Sequence, residues 1–328
     1  MVALPVIVAL ALLSAPPSVR AAGPARPLPE RLADTGIAGP DTVSFSPQYA
    51  LWSDGAVKRR WIALPRGTAI DGTQADAWQF PVGTRLWKEF SVGSRKIETR
   101  FIERLADGTW RFASYRWNAQ GTEARVAPAQ GAVVEGVAGA LQGRYEIPAR
   151  ADCLACHESA AVPVLGFSAL QLSPDRDPLA LHATPRGDIE LQALVARGLL
   201  RGYRGPAQPR IEADPPARAA LGLLHANCGH CHNDSGNGVP VPLVLSQSAA
   251  DTGRAAQRAL TSLIAPSRMT GIASLVPGDA AASLLVQRMR SRDARRQMPP
   301  LGTRMADADG LALIERWISP ELKQENTP

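Results

Sequence analysis

Apolar and polar positions change their rhythm several times along the chain, and each change predicts a different kind of element. Val2–Leu13 is almost wholly apolar and ends at Pro16-Pro17, followed by Val19-Arg20-Ala21. Such a run falls short of the roughly 20 residues that span a bilayer, and its small-residue exit predicts an export signal over residues 1–21, cut near Ala21 or Ala22. It departs from the usual pattern in having no Lys or Arg before the apolar run. Residues 22–48, rich in Pro, Gly and Ala, predict an extended lead-in. From 49 to 150 the runs become short and rich in aromatic and β-branched residues, as in Arg85–Val92, Ile97–Leu105 and Thr109–Trp117. Ala106-Asp107-Gly108 between the last two is a hairpin signal. These residues predict an antiparallel, sandwich-like β domain, with the tryptophans in its core rather than on a binding surface.

Residues 151–213 show little periodic order beyond an amphipathic helix expected over Asp188–Leu200. Helical spacing returns in 214–328. Asp214 is a candidate N-cap with Pro215 at the first helical position, and Ala217, Ala220, Leu221 and Leu224 follow at helical spacing. Gly222 interrupts that helix at a cost of about 1 kcal/mol against Ala, for which a close approach of another backbone is one explanation. A second helix is expected from Asp307 to Ile318, burying Leu311, Ile314, Trp317 and Ile318 and stopped by Ser319-Pro320. The fold class is therefore α+β multidomain: a sandwich-like β domain, then a mainly α region.

The chemistry sits in two stretches, Cys153-Leu154-Ala155-Cys156-His157 and Cys228-Gly229-His230-Cys231-His232. Both read Cys-x-x-Cys-His, the attachment signature of c-type haem. Two thiols three positions apart can each form a thioether to one vinyl group of the same porphyrin, and the following histidine supplies the iron's fifth ligand. The motifs use all four cysteines, so two covalent haem c groups and no disulfide are expected. Zinc is the rival reading, but Cys153 and Cys228 lie far apart for a zinc ribbon, whose pairs stand about 15–20 residues apart, and zinc explains neither adjacent histidine.

Proximal ligands are then His157 and His232. For the second haem, Met298 in Met298-Pro299-Pro300 is the expected distal ligand, because the helix–motif–loop–Met-Pro–helix order resembles a class I-like cytochrome c domain and two prolines stiffen the loop. Met289 and Met305 read as packing residues. For the first haem the sixth ligand stays open. His182 is one candidate for a bis-histidine site and Met269 a weaker one. His225 reads as a haem-edge or surface residue, and His230 as part of the second motif's own wrapping. A five-coordinate iron is the remaining alternative.

The formal charge of +6 leaves out the haem propionates and suggests redox partner proteins of acidic surface, met by electrostatic steering. The arginines are scattered and no nucleic-acid motif is present, which argues against nucleic acid. Lys58-Arg59-Arg60 and Arg292–Arg296 read as solvated faces with a secondary option of docking a partner or pairing with propionates. Gly236-Asn237-Gly238 reads as a turn beside the second haem. No further membrane span is expected once the signal is removed.

The mature chain resembles a family of bacterial two-haem c-type cytochromes with a β-rich region ahead of the first haem. The resemblance rests on Tyr49–Pro65 (YALWSDGAVKRRWIALP), Phe80–Phe90 (FPVGTRLWKEF), Ile97–Arg100, both haem motifs, Val276–Asp279 (VPGD) and Met298–Gly302. It implies periplasmic electron transfer with haem bound at both motifs, and names neither partner nor substrate. The expected divisions are 1–21 signal, 22–48 lead-in, 49–150 β domain, 151–213 first haem segment and 214–328 cytochrome c domain. An electron carrier or relay subunit is the leading reading, and a peroxidase-like dihaem enzyme with an open first haem the alternative.

Overall fold

The computed structural model describes residues 27–235, 238–239, 241–267 and 271–321. The expected signal, Gly236-Asn237 and Met269 lie outside them. The chain runs through β1 (Val43–Phe45), β2 (Val57–Ala63), β3 (Ile70–Asp71), β4 (Arg85–Val92), β5 (Arg95–Arg104), β6 (Trp110–Trp117), β7 (Ala124–Val126), β8 (Ala132–Val134) and β9 (Tyr145–Ile147). It continues through α1 (Arg150–His157), α2 (Leu191–Ala196), β10 (Leu200–Arg201), α3 (Ala217–Asn227), α4 (Thr252–Ile264), α5 (Leu284–Arg290) and α6 (Ala308–Arg316). Antiparallel strands come first and helices later, as the change of rhythm predicts. Among the described residues no helix is long and apolar enough to cross a membrane.

The central piece is a six-stranded antiparallel sheet in the order β1-β2-β4-β5-β6-β7, with Ala106-Asp107-Gly108 turning β5 into β6 and Gly108 at φ +83°. In place of the second full sheet of a sandwich, the β8–β9 hairpin packs Val134, Tyr145 and Ile147 against Phe90, Val92 and Ile97. Because side chains alternate along a strand, the register fixes two different faces. The outer face gathers Ala63, Trp87, Phe101 and Tyr115. Residues 27–42 fold over it, burying Leu32 in a short 3₁₀ turn; Trp87 Nε1–H donates to Thr35 Oγ1 (2.8 Å) and Tyr115 Oη–H to Pro29 O (2.7 Å). The lead-in is thus a cover rather than a free extension, since that aromatic face would otherwise be wet.

The inner face carries a cross-strand row of Ile62, Leu86, Ile102 and Phe112 in direct register. This row belongs to the same core cluster as Leu172, Leu194, Leu221, Leu224, Ile314 and Trp317, so one apolar core runs from the sheet into the helices. Leu311, Ile314, Trp317 and Ile318 are buried as their spacing predicts, and Asp307 caps α6 by accepting from Gly310 N–H (3.0 Å). Helix α2 is shorter than its amphipathic pattern suggests; the chain instead leaves it to pair β10 in parallel with β3.

Gly222 lies within α3, and the close approach is made by a side chain rather than by a second helix. A Cβ there would stand 2.0 Å from Tyr49 Cε1 and 2.2 Å from its Cδ1. Tyr49 cannot easily retreat: it is 2 % exposed, its N–H donates to Gln171 Oε1 (3.0 Å) and its hydroxyl to Asp177 (3.3 Å). Gly222→Ala should therefore destabilise the protein by about 1–3 kcal/mol from overpacking, although Ala gains ~1 kcal/mol in helix propensity. Urea unfolding followed by circular dichroism measures this. The loss should shrink when Tyr49→Leu is added, because contacting residues couple; an unchanged midpoint for Gly222→Ala would mean that the ring gives way freely.

Candidate haem-attachment site

The first motif occupies α1 itself. An eight-residue helix suffices because Asp152 accepts from Ala149 N–H (2.9 Å) at its start. The helix lies against β6, with the His157 ring 4.9 Å from Phe112. His157 Nδ1 is 2.8 Å from Pro163 O. A carbonyl can only accept, so Nδ1 carries the proton and Nε2 keeps its lone pair, the tautomer that a metal-ligating histidine requires. Burial pushes the imidazole down to about 4, opposed by the Pro163 bond and aided by Lys88, Arg100 and His230. The ring is therefore neutral.

The second motif follows α3 as a tight turn. Cys231 N–H and His232 N–H both donate to Cys228 O (3.0 and 2.8 Å). Gly229 permits it, since a Cβ there would stand 2.7 Å from His225 O and 3.0 Å from Ser246 Cα. Burial raises the Cys228 thiol to about 12 and the Cys156 thiol to about 11, with Cys231 adding to both. His232 Nδ1 is buried with no hydrogen-bond partner among the described residues. Burial, then Arg288, lowers the pKa of that imidazole. Met298 N–H donates to Arg288 O (3.0 Å), so the loop bearing the expected distal ligand is tied to the residue whose charge reaches His232.

The two motifs are neighbours. Asn233 Nδ2, one residue past His232, donates to Ser159 O (3.1 Å), two residues past His157, and also lies 3.2 Å from Gly229 O and 3.0 Å from His230 O. Seventy-odd residues of intervening chain therefore return to the same place. Between the motifs and the sheet is a cavity of about 540 Å³, walled by Cys153, Cys156 and His157, by Trp52, Trp78 and Phe167, and by His225, Gly229 and His230. The volume falls within the roughly 300–1,000 Å³ of cofactor pockets. Cys228, Cys231, His232 and Met298 are not in its wall; the second motif presents its middle residues to it.

The sheet contributes something the sequence hides. Arg60, Lys88 and Arg100 stand side by side on three adjacent strands, in direct register, and all line the cavity. Lys58 is 3 % and Arg60 5 % exposed, so the solvated face expected for Lys58-Arg59-Arg60 is corrected: alternation sends Arg59 out and its two neighbours in. Glu98 pairs with Arg100 (2.7 Å) and accepts from Tyr145 Oη–H (2.8 Å), and Lys58 Nζ–H donates to Leu51 O (2.7 Å). Arg60 and Lys88 have no carboxylate partner among the described residues. Lys88 is half-buried and lines the cavity, and burial drives its pKa well below the ordinary value, with Arg60 and Arg100 adding to the effect. Burial likewise lowers Arg60 to about 10. Buried cations without anions cost several kcal/mol each, so this wall is built for an anionic occupant.

These features fit a porphyrin: paired thiols beside a neutral histidine of the right tautomer, a cofactor-sized apolar cavity, and cations for carboxylate groups. Among the described residues no group of three or more His, Cys, Asp or Glu is placed to hold a bare metal ion. His182 is placed elsewhere. Its Nε2 lies 2.9 Å from both Asp307 oxygens, its ring packs against Trp52 at 4.8 Å with the planes tilted by 46°, and its backbone sits at φ +59°. It is absent from the cavity wall and its nitrogen is committed to the residue that caps α6.

A family model described as Planctomycete cytochrome C matches residues 246–302, from just after the second motif through α4 and α5 to the end of the Met298 loop. This supports a cytochrome c-type domain in the C-terminal region, and with it covalently bound haem c and electron transfer by a haem protein. No curated protein and no solved structure matches the chain.

Proposed function

We propose that the protein is an exported, periplasmic dihaem c-type cytochrome that relays single electrons between partner proteins. The observation carrying this reading is the Asn233–Ser159 hydrogen bond, which sets the two attachment motifs side by side. Cys153, Cys156 and His157 would hold one haem, and Cys228, Cys231, His232 and Met298 the other. When bound, haem supplies a one-electron iron couple. The chain's part is to hold both sites close, to keep His157 neutral by burial and oriented by Pro163, to screen the first site from water with Trp52, Trp78 and Phe167, and to offer Arg60, Lys88 and Arg100 to propionates. The residual positive charge of the polypeptide suits acidic redox partners. The peroxidase-like alternative needs a first iron open at its sixth position, and the histidines in the cavity wall weigh against that.

The exported protein should have the mass of the processed chain plus two macrocycles, and a reductive titration should take up two electrons per chain. A mass showing the bare chain, or uptake of one electron, would end this reading.

A further inference from the structure

We propose that His230, an inner residue of the second Cys-x-x-Cys-His motif, is the sixth ligand of the first haem, held opposite His157 across the cavity. The assignment rests on the reading that Cys153–His157 carries a haem, and deepens it.

Three histidines line the cavity: His157, His225 and His230. The first is the proximal ligand. The second is committed, because His225 Nδ1 accepts from Gln247 N–H (3.0 Å). That bond leaves the proton on Nε2, the nitrogen that reaches out from the ring and would have to meet the iron. His230 alone has no such commitment. Its carbonyl accepts from Asn233, but its ring makes no hydrogen bond with any described residue. A half-buried imidazole with both nitrogens unengaged, facing a cavity, is an arrangement that a ligand would complete.

The turn of the second motif explains how one motif serves two sites. Cys231 and His232 both donate from their backbone to Cys228 O, and this tight fold turns successive side chains in different directions. His232 is outside the cavity wall while Gly229 and His230 are in it. The placement is fixed rather than incidental, since one amide, Asn233 Nδ2, reaches both His230 O and Ser159 O beside the first motif. His230 is also near enough to His157 for its charge to act on that ring. The same three residues, Cys231, His232 and His230, would then bind two different haems, joining them through covalent chain and a shared imidazole-bearing turn.

The test uses the full exported protein, wild type and as His230→Ala and His225→Ala, with haem counted by mass and spin state read by electron paramagnetic resonance and near-infrared magnetic circular dichroism. His230→Ala should keep two haems but convert half of the ferric iron from low to high spin. Its reduced form should bind one carbon monoxide per chain where wild type binds none, and added imidazole should restore the low-spin signal. His225→Ala should leave all iron low-spin. A fully low-spin His230→Ala protein, or conversion by His225→Ala instead, overturns the assignment. If His230→Ala loses a haem during maturation, the wild-type spectrum decides. One bis-histidine haem beside one histidine–methionine haem supports the proposal, while a high-spin haem or two histidine–methionine haems overturns it. Fewer than two haems on the wild-type chain would instead overturn the dihaem reading itself.

Discussion

A chain in which Cys153 and Cys156 are both serine is expected to carry one covalent haem instead of two and to unfold at a distinctly lower temperature. The loss of haem follows from the chemistry, because no other thiol lies in the cavity wall. The loss of stability follows from the sheet. Arg60 and Lys88 face the cavity without carboxylate partners, and removing the anion from a buried pair costs about 3–5 kcal/mol. For a chain of this size that corresponds to a fall on the order of 10 °C in Tm. The comparison that isolates the sheet's contribution is Cys228→Ser with Cys231→Ser, which should remove the other haem while leaving the cationic wall occupied and the melting temperature less affected. Mass spectrometry and calorimetry read both quantities on the same samples. Retention of two haems by the first variant would show that its motif does not attach one.

What could be read from the sequence was whatever is fixed over a few residues. The Ala106–Gly108 turn and the helical stripe through Ile318 are local patterns, and each takes the form in the structure that its spacing suggests, whereas α3 begins at Ala217 with Pro216 rather than Asp214 at its N-cap. Helix α4 was equally open to reading: Asp251 caps it, and Ala255, Ala259 and Leu263 recur every four residues. Alanine is a faint apolar signal, however, so this stripe does not stand out in the sequence. The cationic row was not open to reading in this way. Arg60, Lys88 and Arg100 are separated by tens of residues, and only the strand register brings them level. In the sequence Lys58-Arg59-Arg60 is a charge cluster, and its two inward members become visible only when the buried face of β2 is known. The same holds for His182, whose partner Asp307 is 125 residues away. It holds for Gly222 too, where the close approach was foreseeable but Tyr49 as its cause was not. Long-range pairing chose, among residues with the right chemistry, which ones reached the cavity.

Met298→Ala is expected to lower the potential of one haem and leave the other unchanged. A thioether is a soft, neutral donor that favours ferrous iron, so its loss stabilises the ferric state. The fall should be on the order of 0.1 V or more, within the roughly 0.8 V that axial ligation spans. The chain gives Met298 a defined post: its N–H is held by Arg288 O (3.0 Å) at the end of α5, and Arg288 is close enough to His232 to disfavour a positive charge there. The match to residues 246–302 contains this loop whole. Met298 is outside the wall of the cavity that holds the first motif, which is why the two potentials should separate: a redox titration of the variant should move one wave and spare the other. Met298→Lys offers a converse check, because an amine ligand would keep the iron low-spin while still lowering the potential. Two unmoved waves in Met298→Ala would remove Met298 as a ligand, and movement of both would mean that the loop shapes the whole pair of sites rather than one iron.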